Sequence, residues 1–489
     1  MAAHPTPYHR DMAQRLRGAA TRPRPPAQRE VTSRPAPAPH GLLGLQRLAG
    51  NGAVHQLLAS GAPGDGLLHE LVVRHGRGDV HRYGTGEHAE LGSGRIVTVN
   101  GVQMTEGDLI AIGDFFASPD DMFKASPDEL RRLVGLIERD KRAVQGNPGD
   151  ARVTADEWQA ATGGRYVDLA KANDAHFGPS TDPKVVAPAD HKSEWQKLHR
   201  QALDSVHKSK SVTDDARAVN GFASHFLTDA FAAGHLVAKA QVVDHAKTKF
   251  DALKTSGMFF KENAFTQGVA QRVLADPATA AKLGAKQLKL IAWGDITPER
   301  FSELLMKLQE RESATFYNIF AKLVHDRLND AIKGGPDAGV EVSNARGDTW
   351  KLSGDDTLAL SPRTKDIANA AVAESDHNLD AAAAATGDLD YAKLFANVWA
   401  YTPHPTANGQ KLVDDTIAKY ADPGNTDTID AAAQFIIGDI DVAMAGLEAR
   451  GLVRDKPKPK PKADLGPGPL PAGGYMGSDG IIRKSFGEQ

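Results

Sequence analysis

The chain has no cysteine among its 489 residues. That excludes a disulfide framework and any thiolate metal site, so a bound transition metal would have to rest on histidine and carboxylate. No stretch approaches the roughly 18 consecutive apolar residues that mark a membrane-crossing helix. Charge of one sign is not in excess either. The 58 Lys and Arg against 62 Asp and Glu leave a net charge of −4, so nothing global pulls the chain towards nucleic acid. Aromatic residues make up only 6% and do not interleave with basic ones, and nucleic acid is not the expected partner. The opening stretch, MAAHPTPYHRDMAQRLRGAATRPRPP, lacks the apolar core of a secretory signal. The expectation is a protein made in the cytoplasm, leaving its cell, if at all, by another route.

What is present centres on NGFASHFLTDAFAAGHL, Asn220 to Leu236. Apart from His225, Asp229 and His235, its only polar residues are Asn220, Ser224 and Thr228. A helix apolar nearly all round belongs in a core. A carboxylate and two imidazoles buried there must be paired or coordinated, because an isolated buried charge is too costly. Read as one continuous helix, the stretch stacks His225 and Asp229 one turn apart. It places His235 about 80° round from His225. Three such side chains on one arc suit a multi-metal site. They also suit a buried His–Asp pair with a further histidine at the helix end, and the helix alone does not choose.

The length allows one large domain or two ordinary ones. Residues 1–40 carry repeated proline and seven arginines and read as a disordered arm. Residues 41–60, GLLGLQRLAGNGAVHQLLAS, form a short amphipathic stretch that would order only on binding. A Gly-rich linker covers 61–84. IVTVNGVQM then reads as a hairpin about Asn100-Gly101, and Thr105 caps a helix whose apolar run ends at Asp114. Helical patterns dominate from there, with His176 after one helix and His325 and Asn329 one turn apart on another. On the helix from Glu194, His199 and His207 read as ordinary polar or supporting residues. VEVSNARGDTWKLSGD is a small β insertion; helices follow from 356 to 450, and a Lys/Pro/Gly-rich disordered tail from 451 to 489.

His225-x3-Asp229-x5-His235 on an apolar helix resembles the central helix of the zinc-dependent phospholipase C family, whose all-helical fold is shared with fungal single-strand nucleases. The resemblance runs from about residue 85 to 355. It implies an all-α, multi-helix domain with a small β insertion and two or three zinc ions. It implies that Asp114, His176, His225 and Asp229 hold one ion and that Asp229 bridges to a neighbour. His235 and His325 would hold another, and His88 would contribute to a third. Such a cluster would clamp a phosphodiester oxygen, make an attacking water acidic and stabilise the leaving alkoxide, with Asp114 orienting or deprotonating the water.

This sequence departs from the family in two places. Asn329 stands where the family has a carboxylate one turn after the downstream histidine, which leaves Asn329, Asp326 or Asp330 for that post. The family also uses a processed N-terminal tryptophan as a ligand of the third zinc, and the long arm here has no counterpart. Residues 41–60 resemble a segment near the N-termini of actinobacterial proteins, some associated with contractile injection systems. The joint expectation is a metal-dependent phosphodiesterase acting on a phospholipid surface and delivered by an injection apparatus. A nuclease on the same fold and a non-catalytic binding module are the alternatives, since fold does not select among them.

Overall fold

A computed structural model describes residues 84–147, 150–171, 173–256, 261–330, 338–355, 357–438 and 440–457, with two short strands at 474–476 and 482–484. The arm at 1–40, the amphipathic stretch at 41–60 and all but the last residue of the linker at 61–84 lie outside the described residues. What is described is mostly helical, with small two- and three-stranded sheets, as an all-α fold with β insertions requires.

The described chain enters through a one-turn helix, α1 (Thr85–His88), and a hairpin of β1 (Ile96–Val99) and β2 (Val102–Thr105). Val99 pairs with Val102 across Asn100 and Gly101, both with positive φ, which is the geometry a two-residue Asn-Gly turn adopts. Thr105 closes a capping box with Asp108 and starts α2 (Glu106–Ala111). A 3-10 turn, Ile112–Asp114, ends that apolar run on the carboxylate.

The centre of the fold is α4 (Asp214–Asp229), preceded in sequence by α3 (His191–Ser209). Thr213 caps α4 by accepting from the amide of Ala216, and Asp214 and Asp215 sit favourably in its first turn. Every residue from Ala218 to Asp229 is buried, because α2, α3 and α8 (Pro362–Ala384) all pack on it. At Gly221 a Cβ would lie 2.7 Å from the Cβ of Leu109, so glycine is what lets α2 approach this closely.

The helix does not run on to Leu236 as the apolar pattern suggests. It stops at Asp229, Ala232 is extended, and His235 stands on a separate 3-10 turn, Ala233–Leu236. The break is a tertiary effect. The amide of Ala233 donates to the carbonyl of Ser353, 2.9 Å away, a bond that a continuing helix would have spent internally.

Behind this turn, α5 (Lys239–Ala252) packs against α7 (Ser313–Asn329), and α6 (Pro298–Arg311) packs on α7 as well. Edge-to-face contacts link Phe250, Phe265, Phe316 and Tyr317. The β insertion forms as expected: β3 (Val340–Ser343) lies between β4 (Thr349–Leu352) and β5 (His404–Pro405). The chain leaves β4 through Ser353-Gly354-Asp355, directly towards the central helix. The helices after 355 share one main core with the rest, which extends from Ala89 to Val453. The stretch after 450 is not wholly a tail. Val453–Asp455 pairs antiparallel with Lys286–Leu288, with Val453 buried and Arg454 and Asp455 exposed.

Truncating Phe222, fully buried in α4, to alanine should lower stability by about 3–5 kcal/mol. Thr213→Ala, which removes only the cap, should cost about 1 kcal/mol. Urea unfolding of both variants measures the difference.

Candidate metal centre

Asp229 is completely buried at the end of α4, and imidazoles approach it from four segments of chain. His176 Nδ1 lies 2.8 Å from its Oδ2, and His225 Nε2 lies 3.8 Å from the same oxygen. His88 Nε2 and His235 Nδ1 each lie 3.5 Å from Oδ1. His225 Nε2 is also 3.2 Å from His176 Nδ1 and 3.8 Å from Asp114 Oδ1. Thus His88, Asp114, His176, His225, Asp229 and His235, scattered over nearly 150 residues of sequence, converge on one carboxylate.

Two groups in this cluster have metal-ligand geometry: His88, His225 and Asp229 form one, and His235, His325 and Asp355 the other. In each, one donor atom per residue lies within 4.8 Å of the others, and all six residues are buried. The short distance between His235 and Asp229 joins the two groups. Donor chemistry fits a divalent ion, since imidazole with carboxylate suits zinc when no thiolate is present. Among the described residues, His225 Nδ1, Asp229 Oδ1 and His235 Nδ1 are buried without a hydrogen-bond partner. A cation would satisfy such orphaned acceptors.

The surrounding groups orient the donors. Thr228 Oγ1 donates to the carbonyls of Ser224 and His225, so towards His88 it accepts. His88 therefore donates from Nδ1 to Thr228 Oγ1, 2.8 Å away, and turns Nε2 towards Asp229. Thr85 Oγ1 donates to Asp114 Oδ2 at 2.8 Å and fixes that carboxylate beside His225. Gly113 gives the space for it: a Cβ there would meet His225 Cγ at 2.5 Å.

Asp355 is the member that sequence reading did not single out. The carboxylate of the second group comes neither from Asp326 nor from Asp330, but from the loop after β4. His325 Nε2 lies 3.2 Å from Asp355 Oδ2. Asn329 has a different post from the ligand role implied for it. Its Oδ1 accepts from the amide of Gly234 at 2.7 Å, which fixes the amide orientation. Its Nδ2 then donates to Asp355 Oδ2, also at 2.7 Å, so Asn329 positions the carboxylate. Asp326 accepts from His325 Nδ1 at 3.1 Å on the outer side. The local signal for Asp355 was only a Ser-Gly-Asp after a strand, 30 residues beyond His325. His199 does not join the centre; it stacks on Trp195 and bonds Asn220, deep between α3 and α4.

Charge is distributed unevenly. Burial pushes His225 down to about 3 despite the nearby Asp229, so the imidazole is neutral and its lone pair is available. Burial also works against the charge on Asp229, but His225 and His176 outweigh it and hold the carboxyl well below its usual range. At His325 burial is overcome by Asp326 and Asp355, which raise the imidazole to about 9. Without metal, then, His325 carries a proton where His225 does not.

The chain matches no protein-family model, no curated protein and no solved structure. Among the described residues no helix is long and apolar enough to cross a membrane.

Three predictions follow from the second group. A divalent ion there displaces the proton on His325, so zinc binding at pH 7 should release about one proton from that group and tighten about tenfold per pH unit towards pH 9. Titration calorimetry in buffers of different ionisation enthalpy measures the release. In the metal-free protein the sign is opposite: the raised His325 stabilises the fold fully below pH 6.5, and that contribution fades as pH climbs through 9. Separately, Asp355→Asn should remove one ion per chain, whereas Asp330→Asn should leave the metal content unchanged. Elemental analysis of the purified variants distinguishes them.

Proposed function

We propose that this protein is a metal-dependent phosphoric diester hydrolase of the phospholipase C type, holding a pair of zinc ions and acting at a phospholipid surface. The observation that carries the reading is Asp229, a buried carboxylate of the first His/Asp group whose Oδ1 lies 3.5 Å from His235 of the second. A bridging carboxylate between neighbouring ions is the arrangement a two-metal phosphodiesterase needs. Zinc bound there would supply the Lewis acidity that polarises a phosphoryl oxygen and makes water acidic.

The chain's own residues have definable tasks. His88, His225 and Asp229 hold one ion, and His235, His325 and Asp355 the other. His176, bonded to Asp229, closes the first group, and Phe177 packs beside both His235 and His325. Asp114, fixed by Thr85 next to His225, is placed to orient a water and accept its proton. Phospholipid is preferred to nucleic acid because the chain is slightly acidic overall and lacks an aromatic–basic surface pattern. Residues 41–60 would serve as the docking segment for a contractile injection system, with the protein as its cargo.

Metal analysis of the purified protein beside the His225→Ala, Asp229→Ala double variant is the first test. About two zinc ions per chain, lost in the variant together with hydrolysis of phosphatidylcholine vesicles, is the expected result. Asp114→Asn should retain the metal and lower kcat by about 100-fold or more. Absence of any bound or stabilising metal would overturn the hydrolase reading. Cleavage of single-stranded DNA in place of lipid would move the substrate to nucleic acid while leaving the metal chemistry intact.

A further inference from the structure

Each residue of the one-turn helix α1 has its own anchor elsewhere in the fold. Thr85 holds Asp114, and His88 turns towards Asp229. The amide of Gly86 donates to Asp140 Oδ2 at 3.0 Å, and a Cβ at Gly86 would lie 2.8 Å from the backbone of Asp140. A helix this short has no stability of its own in water, so these contacts decide where it sits. The remaining residue, Glu87, belongs to neither His/Asp group, yet it is completely buried. Its Oε1 accepts from the amide of Leu358 at 2.6 Å, 271 positions along the chain.

Leu358 opens the 3-10 turn Leu358–Leu360, just past the loop that carries Asp355. That loop is held at both ends. Upstream, the carbonyl of Ser353 accepts from Ala233, and Gly354 lies so close to Asn329 that a Cβ would meet its Cα at 2.2 Å. Within the loop, Thr357 Oγ1 donates to the carbonyl of Gly354. Downstream, the hold on Leu358 comes from Glu87. A hydrogen bond to an ionised acceptor is roughly twice as strong as a neutral one. An apolar side chain at this position would leave the buried amide of Leu358 without that acceptor, at a real cost.

We propose that Glu87 is a positioning residue of the metal centre. It is a strut that ties α1, bearing His88 of the first His/Asp group, to the loop bearing Asp355 of the second, and so sets the spacing of the two groups. The proposal rests on the metal-centre reading and adds to it a residue outside both ligand sets. Partners of this outer kind typically change metal affinity by about 10–100-fold.

The test is cobalt(II) titration of the metal-free full-length chain, followed by visible absorption, which reads the geometry around the ion. Hydrogen exchange of the segment around Leu358 is measured beside it. In Glu87→Ala cobalt affinity should fall about 10–100-fold, the absorption bands should shift, and exchange at Leu358 should quicken. Glu87→Gln keeps the accepting oxygen and should restore affinity and bands to near those of the unaltered protein. A merely structural role would lower the urea midpoint of Glu87→Ala and leave its cobalt affinity and bands unchanged, and that result overturns the proposal. So does a glutamine variant as impaired as the alanine one. If Glu87→Ala does not fold, Glu87→Asp, which keeps the charge but shortens its reach, is judged by the same criteria. An unaltered protein that binds no cobalt would overturn the metal-centre reading and the strut with it. Normal binding there with an indifferent Glu87→Ala overturns the strut alone.

Discussion

The carboxylate of Asp229 is the constraint around which this molecule is arranged. A fully buried negative charge is tolerated only when its surroundings supply compensating partners, and removing those partners leaves a heavy desolvation cost. Here the partners come from α1, from the turn holding His176, from α4 itself and from the turn after it. Each of those segments must therefore be locked in place by its own contacts. Thr105 starts α2, which brings Asp114 to the cluster; Thr228 fixes the ring of His88; Gly221 admits α2 against α4. The surrounding helices provide the rigid apolar wall that keeps water from diluting these interactions.

The two halves of the centre are not equivalent. The first group has a neutral His225 and a strongly acidic Asp229, a state ready for a cation. The second is protonated on His325 and braced by Asp326 on one side and Asp355 on the other. Asn329 links the second group to the backbone of Gly234, so the turn bearing His235 and the loop bearing Asp355 are held by a single amide. An asparagine in that post relieves a crowding problem. A second carboxylate 2.7 Å from Asp355 would repel it in the metal-free protein, whereas an amide donates to it.

The extra helices after residue 355 do more than cover the domain. Through α8 they bury the outer face of α4. Through the segment around Trp399 and His404 they add β5 to the small sheet whose neighbour β4 delivers Asp355. Scaffold and centre thus share elements, and a change in how the C-terminal helices pack would be felt at the two His/Asp groups.

Much of this was written in local sequence. The buried character of Asn220 to Leu236 follows from its composition. The Asn-Gly hairpin and the Thr105 cap follow from short-range stereochemistry that a few adjacent residues dictate. His225, Asp229 and His235 were legible as candidate ligands, because a carboxylate and two imidazoles in a buried apolar stretch demand partners; His88, Asp114, His176 and His325 were marked only by the resemblance to the phospholipase C family. Tertiary structure decided what local pattern could not carry. It ended the central helix at Asp229, because the amide of Ala233 found the carbonyl of Ser353, a residue 120 positions away. It turned Asn329 from a ligand into a brace and put Asp355 in the vacant post. Those outcomes depend on which loop arrives opposite which helix, and periodicity along the chain carries no information about that meeting.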